Sequence, residues 1–136
     1  MKKLLLMFST LLVLTACGGN DESPVAEETN QTAELETPYV TIDIDEVMDY
    51  IDDGYTVVDV REIDEFNSGH IPNAVNAPLS GLENDRFTPL ETNEKYIIIC
   101  QSGNRSITAS NILSEAGYDI VNVSEGMSTW TGEIEE

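Results

Sequence analysis

The segment Lys95–Cys100, KYIIIC, places apolar side chains at consecutive positions. A strand built from it must be covered on both faces, as a central strand of a parallel sheet is. That requirement fixes most of the architecture, because helices must then lie on either side of the sheet. The run also ends in an unusual way, since Cys100 opens directly into the polar turn Gln101–Ser106, QSGNRS. A cysteine kept for packing belongs inside an apolar run, whereas this one stands at its exit.

The flanking sequence supplies the helices. Tyr39–Ile42 is a strand candidate. Asp43 with Glu46 three residues later has the pattern of a capping box, and Ile44, Val47, Met48 and Ile51 then follow helical spacing up to Gly54. Tyr55–Val60 reads as a second strand. Residues 62–79 read as a short helix, a turn and a brief strand around Ala74–Asn76. After the polar turn comes a helix with Ala109, Ile112, Leu113 and Ala116 on one face and Gly117 past its end. Tyr118–Val123 is another strand, and residues 126–136 read as a closing turn and short helix. Strands separated by helices imply right-handed crossovers and a parallel sheet. The expected class is α/β with three layers.

Ligands of open α/β sheets bind at the carboxyl edge, which is where Cys100 falls. A tight loop there turns successive N–H groups inward as an anion site. The start of the next helix adds partial positive charge, and Arg105 adds a planar cationic fork. Each favours thiolate over thiol, so the pKa of Cys100 is expected below that of a free cysteine. Gly103 gives the loop its conformational freedom, and Ser102 and Ser106 supply further donors. A buried, inert cysteine is the alternative.

The loop CQSGNRS resembles the rhodanese active-site loop, in which the cysteine is followed by four residues and an arginine. Val57–Glu62 (VVDVRE), Gly69–Leu79 (GHIPNAVNAPL) and Ser124–Trp130 (SEGMSTW) are similar to the other signatures of that family and occur in its order. The resemblance covers residues 38–136 and implies a three-layer rhodanese-like domain with a central parallel sheet. It implies a sulfurtransferase that moves sulfane sulfur from a donor such as thiosulfate, through a persulfide on Cys100, to a thiol or cyanide. It implies no cofactor and no metal. Carried over residue by residue, Cys100 is the nucleophile, and Gln101, Ser102, Gly103, Asn104 and Arg105 form the cradle. Asp59 and Arg61 support it, with an Asp59–Arg105 ion pair expected first and an exposed, weak salt bridge as the alternative for Arg61. Gln101 stands where arginine is common in the family, which bears on the preference for anionic donors. His70 is expected to pin its turn, and Trp130 to belong to the core. Phosphatases and arsenate reductases of the same fold have a loop one residue longer. A non-catalytic sulfur-carrier module is the other alternative.

The N-terminus gives the expected location. Lys2 and Lys3 precede a charge-free stretch, Leu4–Leu14, shorter than the roughly 20 apolar residues of a membrane-spanning helix. It has the form of a secretory signal. Leu14–Cys17, LTAC, resembles a bacterial lipobox, which implies a signal peptide over 1–16 and a lipid-modified Cys17. The chain is then expected at the bacterial cell envelope, outside the cytoplasm and membrane-anchored, with Cys100 as its remaining thiol. A Cys17–Cys100 disulfide is the competing possibility for an exported chain. Residues 18–37 contain six acidic and no basic residues and few large apolar ones, as a disordered tether does. Within 38–136, twenty Asp and Glu face four basic residues, Arg61, Arg86, Lys95 and Arg105. So acidic a domain does not suit nucleic acid, whose phosphates need cationic partners. It is expected to act as a monomer on small sulfur donors and acceptors.

Overall fold

A computed structural model describes residues 36–136. The expected signal peptide, Cys17 and most of the tether lie outside the described residues. In chain order the elements are β1 (Val40–Ile42), a 3-10 turn (Ile44–Glu46), α1 (Val47–Asp52), β2 (Thr56–Asp59), α2 (Ile63–Asn67), β3 (Val75–Asn76), α3 (Leu79–Leu82), β4 (Lys95–Ile99), α4 (Asn104–Glu115) and β5 (Asp119–Val123). The strands form one parallel sheet in the order β1-β5-β4-β2-β3. β4 is therefore the middle strand, as its unbroken apolar run requires. Among the described residues, no helix is long and apolar enough to cross a membrane.

Alternate residues of the strands feed two cores. Val58, Tyr96, Ile98 and Cys100 join Ala109 and Leu113 of α4 and Leu82 of α3 on one face. Val57, Ile97, Ile99, Val121 and Val123 join Val47 of α1 and Ile71 on the other, with Met127 and Trp130 packed against them. This is the three-layer arrangement, produced by the two-residue period of strand side chains.

Three local details depart from the sequence reading. The Asp43–Glu46 capping box is present, but it starts a single 3-10 turn that passes into α1. α3 is an extra element. It begins after Pro78, whose extended backbone sets its start, and four residues are too few to show helical periodicity. No closing helix forms. The N–H groups of Met127 and Ser128 are bonded to Cys100 O and Gln101 O, and Glu135 pairs across to His70 as an isolated antiparallel bridge. The first N–H groups of a helix have no ladder partner in any case. The chain makes one tight turn, with Thr129 and Trp130 N–H bonded to Gly126 O and Met127 O, and then extends to pair Glu135 with His70.

Ile98 is fully buried at the centre of β4. Ile98→Ala should lower unfolding stability by about 2–5 kcal/mol, through lost burial and the residual cavity. Urea denaturation checks this, and a loss within experimental error would mean that β4 is not the structural axis.

Candidate active site

The sheet order brings three strand exits to one edge: Cys100 after β4, Arg61 after β2, and Ser124–Ser128 after β5. Cys100 is almost wholly buried there, with 1% exposure. It is a free cysteine.

The loop that follows divides its peptide groups between two tasks. The carbonyls of Cys100 and Gln101 point away from the sulfur and accept from the N–H groups of Met127 (2.8 Å) and Ser128 (3.0 Å). The N–H of Gly103 points inward and donates to Cys100 Sγ at 3.1 Å. Burial, the largest influence, pushes the Cys100 thiol up. Hydrogen bonds from the backbone of Ser102 and Ser106, the Ser106 hydroxyl and the Gly103 N–H outweigh it and hold the thiol below its usual range. The Ser106 hydroxyl also lies 3.0 Å from Gly103 O. Hydrogen bonds to the charged form are what stabilise a thiolate in so dry a place.

Two glycines make this packing possible. Gly103 begins α4 with φ +89, and a methyl group there would overlap the Ser124 carbonyl. At Gly126 it would overlap the Cys100 carbonyl and the Gln101 backbone. The first is required both by its backbone angle and by space, the second by space alone.

The charged residues pair differently from expectation. Asp59 does not reach Arg105; it is taken by Arg61, two residues further along the same strand exit. Arg61 donates to the Asp59 carboxylate from Nε at 2.9 and 3.0 Å and from Nη2 at 2.6 Å. The chain curls tightly enough for the Arg61 N–H to bond Asp59 Oδ1 as well, at 3.0 Å. Nor is this an exposed bridge, because the two side chains are only 5% and 1% exposed. The rest of the guanidinium ties two loops together. Nη2 donates to Gly69 O at 2.8 Å, and Nη1 to Gln101 Oε1 at 3.2 Å. Gln101 thus spends its side-chain carbonyl on Arg61.

Arg105, in the first turn of α4, faces α2 instead. Its Nη1 and Nη2 donate to the two carboxylate oxygens of Glu65 at 2.6 and 2.8 Å. Sequence reasoning did not single out Glu65. Its one local signal is its place three residues after Glu62, where the two residues form the capping box of α2. Arg105 is the main cause that holds the Glu65 carboxyl down to about 2, against the opposing effect of burial. That depression stabilises the fold above the ordinary carboxylate range, and the contribution is lost as pH falls through about 2. Both side chains are about a third exposed, so solvent screening keeps it small.

His70 lies at its turn. Its ring stacks on Phe66 with centroids 3.7 Å apart, Nδ1 is 2.9 Å from Phe66 O, and Nε2 is 3.4 Å from Glu135 Oε1. Trp130 packs at the edge of the α1-side core and donates from Nε1 to Glu133 O at 2.9 Å. Ser102 and Asn104 are exposed on the loop. Among the described residues, no group of three or more His, Cys, Asp or Glu side chains is arranged to hold a metal ion.

A cysteine cradled by the N–H groups of its own loop, at the carboxyl edge of this sheet, is the arrangement expected of a rhodanese-like domain. The chain belongs to that family: the model for the Rhodanese-like domain matches residues 43–133. It is 32% identical over 105 residues to Thiosulfate sulfurtransferase 18 of Arabidopsis thaliana, covering 67% of this chain and 77% of that one. It is 40% identical over 85 residues to Bacillus subtilis YrkF, provisionally named a sulfur carrier protein, which covers 62% of this chain but only 45% of YrkF. Among solved structures, a rhodanese-related protein of Thermoplasma volcanium superposes with a TM-score of 0.65 at 37% identity, over 71% of this chain and 98% of that one.

If the cradle holds the thiolate, alkylation of reduced Cys100 should keep a midpoint below that of a model thiol, near 8.5. Gly126→Ala should move the midpoint upward, because displacing the Cys100 and Gln101 carbonyls swings the loop N–H groups off the sulfur. Alkylation rate against pH reads both. A midpoint at or above the model thiol in the unaltered protein would refute the cradle.

Proposed function

We propose that the protein is a sulfurtransferase that carries sulfane sulfur as a persulfide on Cys100. The observation that carries this reading is the inward-turned loop, whose Gly103 N–H donates to a sulfur buried at the carboxyl edge of the sheet. Cys100 thiolate attacks the outer sulfur of a donor. With thiosulfate, the new Cys100 S–S bond forms as the donor S–S bond breaks, and sulfite leaves with the electron pair. A thiophilic acceptor, a thiolate or cyanide, then attacks the outer sulfur of the persulfide. The Cys100 thiolate leaves and is regenerated. The persulfide anion is received by the same N–H groups that held the thiolate, so the loop need not be rebuilt between half-reactions. Arg61 contributes by fixing Gln101 and the turn at Gly69, and Arg105 by joining the start of α4 to α2. With four residues between Cys100 and Arg105, the cradle suits a single sulfur better than a tetrahedral oxyanion, so we set phosphatase chemistry aside.

A second reading keeps the persulfide but not rapid turnover, with the domain receiving sulfur and delivering it to a partner. The provisional naming of YrkF as a sulfur carrier favours it, as does the engagement of Arg105 by Glu65. For location, we propose that residues 1–16 are a signal peptide and that a diacylated Cys17 anchors the chain outside the cytoplasm. Two acyl chains suffice for stable anchoring.

Protein taken directly from cells should contain a population heavier by the mass of one sulfur atom, about 32 Da, on the peptide bearing Cys100. Thiosulfate should restore it after cyanide treatment. Cys100→Ser should lose it and all sulfurtransfer, since a hydroxyl oxygen cannot form a persulfide. Activity retained in that variant would end the proposal. Turnover with thiosulfate and cyanide separates enzyme from carrier. Radiolabelled palmitate appearing in the protein, and absent from Cys17→Ser, tests the anchor.

A further inference from the structure

The mouth of the site lies in an acidic domain, and both cations beside it are already paired. Arg61 is buried against Asp59, and Arg105 is held through both Nη atoms by Glu65. The other two basic residues among those described are elsewhere. Lys95 begins β4, five residues from Cys100 at the opposite edge of the sheet, over the Tyr55 ring. Arg86 follows α3, next to Asp85 and Phe87, which line a cleft with Ile112 and Glu115 at the far end of α4. That helix has 12 residues, so its far end is about 18 Å from the loop. Glu62 adds a second carboxylate near Arg105. Both glutamates, Glu65 first by its hydrogen bonds, hold the guanidinium more firmly protonated.

We infer that Glu65 sets the charge of the sulfur donor this site accepts, by neutralising Arg105 so that dianionic donors are disfavoured against perthiols carrying less negative charge. The inference rests on the sulfur-transfer reading and deepens it by naming the donor class. Glu65 does not touch the sulfur; it is a positioning residue that acts through Arg105. The step concerned is transfer from a persulfide donor. Cys100 thiolate attacks the outer sulfur of R–S–SH, the Cys100 S–S bond forms, the donor S–S bond breaks, and the thiolate R–S⁻ leaves. For donors that differ only in R, the bonds made and broken are the same but the leaving thiols differ in pKa. The field at the mouth is therefore read from how salt and Glu65→Gln change the relative rates rather than from the raw series.

The variant to use is Glu65→Gln. Gln also serves in the third position of a capping box, so the α2 cap survives while the charge goes. Its amide oxygen still accepts from Arg105. The donors are the persulfides of cysteamine, 2-mercaptoethanol and 3-mercaptopropionate, which add one negative charge at each step, and thiosulfate. Persulfide formation on Cys100 is followed by mass at varied salt.

In the unaltered protein, relative kcat/KM along the persulfide series should shift toward the more negative donors as salt rises. The rate with thiosulfate should rise about two- to fivefold between about 20 and about 300 mM salt, as repulsion is screened. Glu65→Gln should raise the rate for thiosulfate and the mercaptopropionate persulfide by about three- to tenfold relative to the cysteamine persulfide. It should also reverse the sign of the salt dependence. Glu62→Gln, which removes a carboxylate without touching Arg105, should act in the same direction more weakly. A merely structural Glu65 would slow all donors alike and leave the salt slope unchanged, which would overturn the assignment. Relative rates along the series that salt leaves unchanged in the unaltered protein, with persulfide formed, would overturn it while leaving sulfur transfer intact. If no donor loads Cys100, the sulfur-transfer reading falls, and this assignment falls with it.

Discussion

The site depends on how one short loop distributes its peptide groups. A buried thiolate needs donors, and the loop supplies them only because its carbonyls are occupied elsewhere. Cys100 O and Gln101 O are taken by the N–H groups of Met127 and Ser128, which leaves the Gly103 N–H free to turn toward the sulfur. The segment after β5 therefore acts as the mould against which the loop is formed. It can come this close because Gly103 and Gly126 present no side chain at the contact. Backbone groups held in this way are pre-oriented, so little reorganisation accompanies the appearance of charge on sulfur.

Arg61 plays the corresponding part for side chains. Its guanidinium joins the end of β2, the turn at Gly69 and the side chain of Gln101, within a nearly dry environment. A buried pair of this kind contributes uncertainly to stability as a whole, yet removing one member leaves an uncompensated charge and is costly, at about 3–5 kcal/mol. Its value here is geometric. It fixes the separation of two loops that have no backbone hydrogen bond to each other in the network around Arg61. The result is a mouth whose charges are balanced locally while the surrounding surface remains acidic.

Much of this was legible in sequence where the signal is local. The apolar continuity of KYIIIC identified the central strand without help from its neighbours, because burial on both faces leaves a direct trace. The position of Cys100 followed from where that run stops. The pairing of Arg105 was not legible. Glu65 and Arg105 are separated by forty residues, and nothing in the one-dimensional pattern says that α2 and the first turn of α4 face each other. The Asp59–Arg61 pair had a local clue in its two-residue spacing. An alternating strand, however, would send those side chains to the same face as parallel neighbours, and only the curl of the chain after Asp59 closes them into a fork. The missing C-terminal helix has a similar origin, since Glu135 is committed to pairing with His70, far upstream in the chain.

The division of labour in the loop also bears on how such a protein can change over generations. The chemistry is carried by backbone atoms of residues whose side chains are either absent, as at Gly103, or turned outward, as at Ser102 and Asn104. Those two outward positions can vary without touching the groups that hold the sulfur. The cradle and the face it shows to visitors are thus inherited as nearly independent traits. What such a site shows to a visiting molecule can drift at Ser102 and Asn104 while the backbone that holds the sulfur stays as it is.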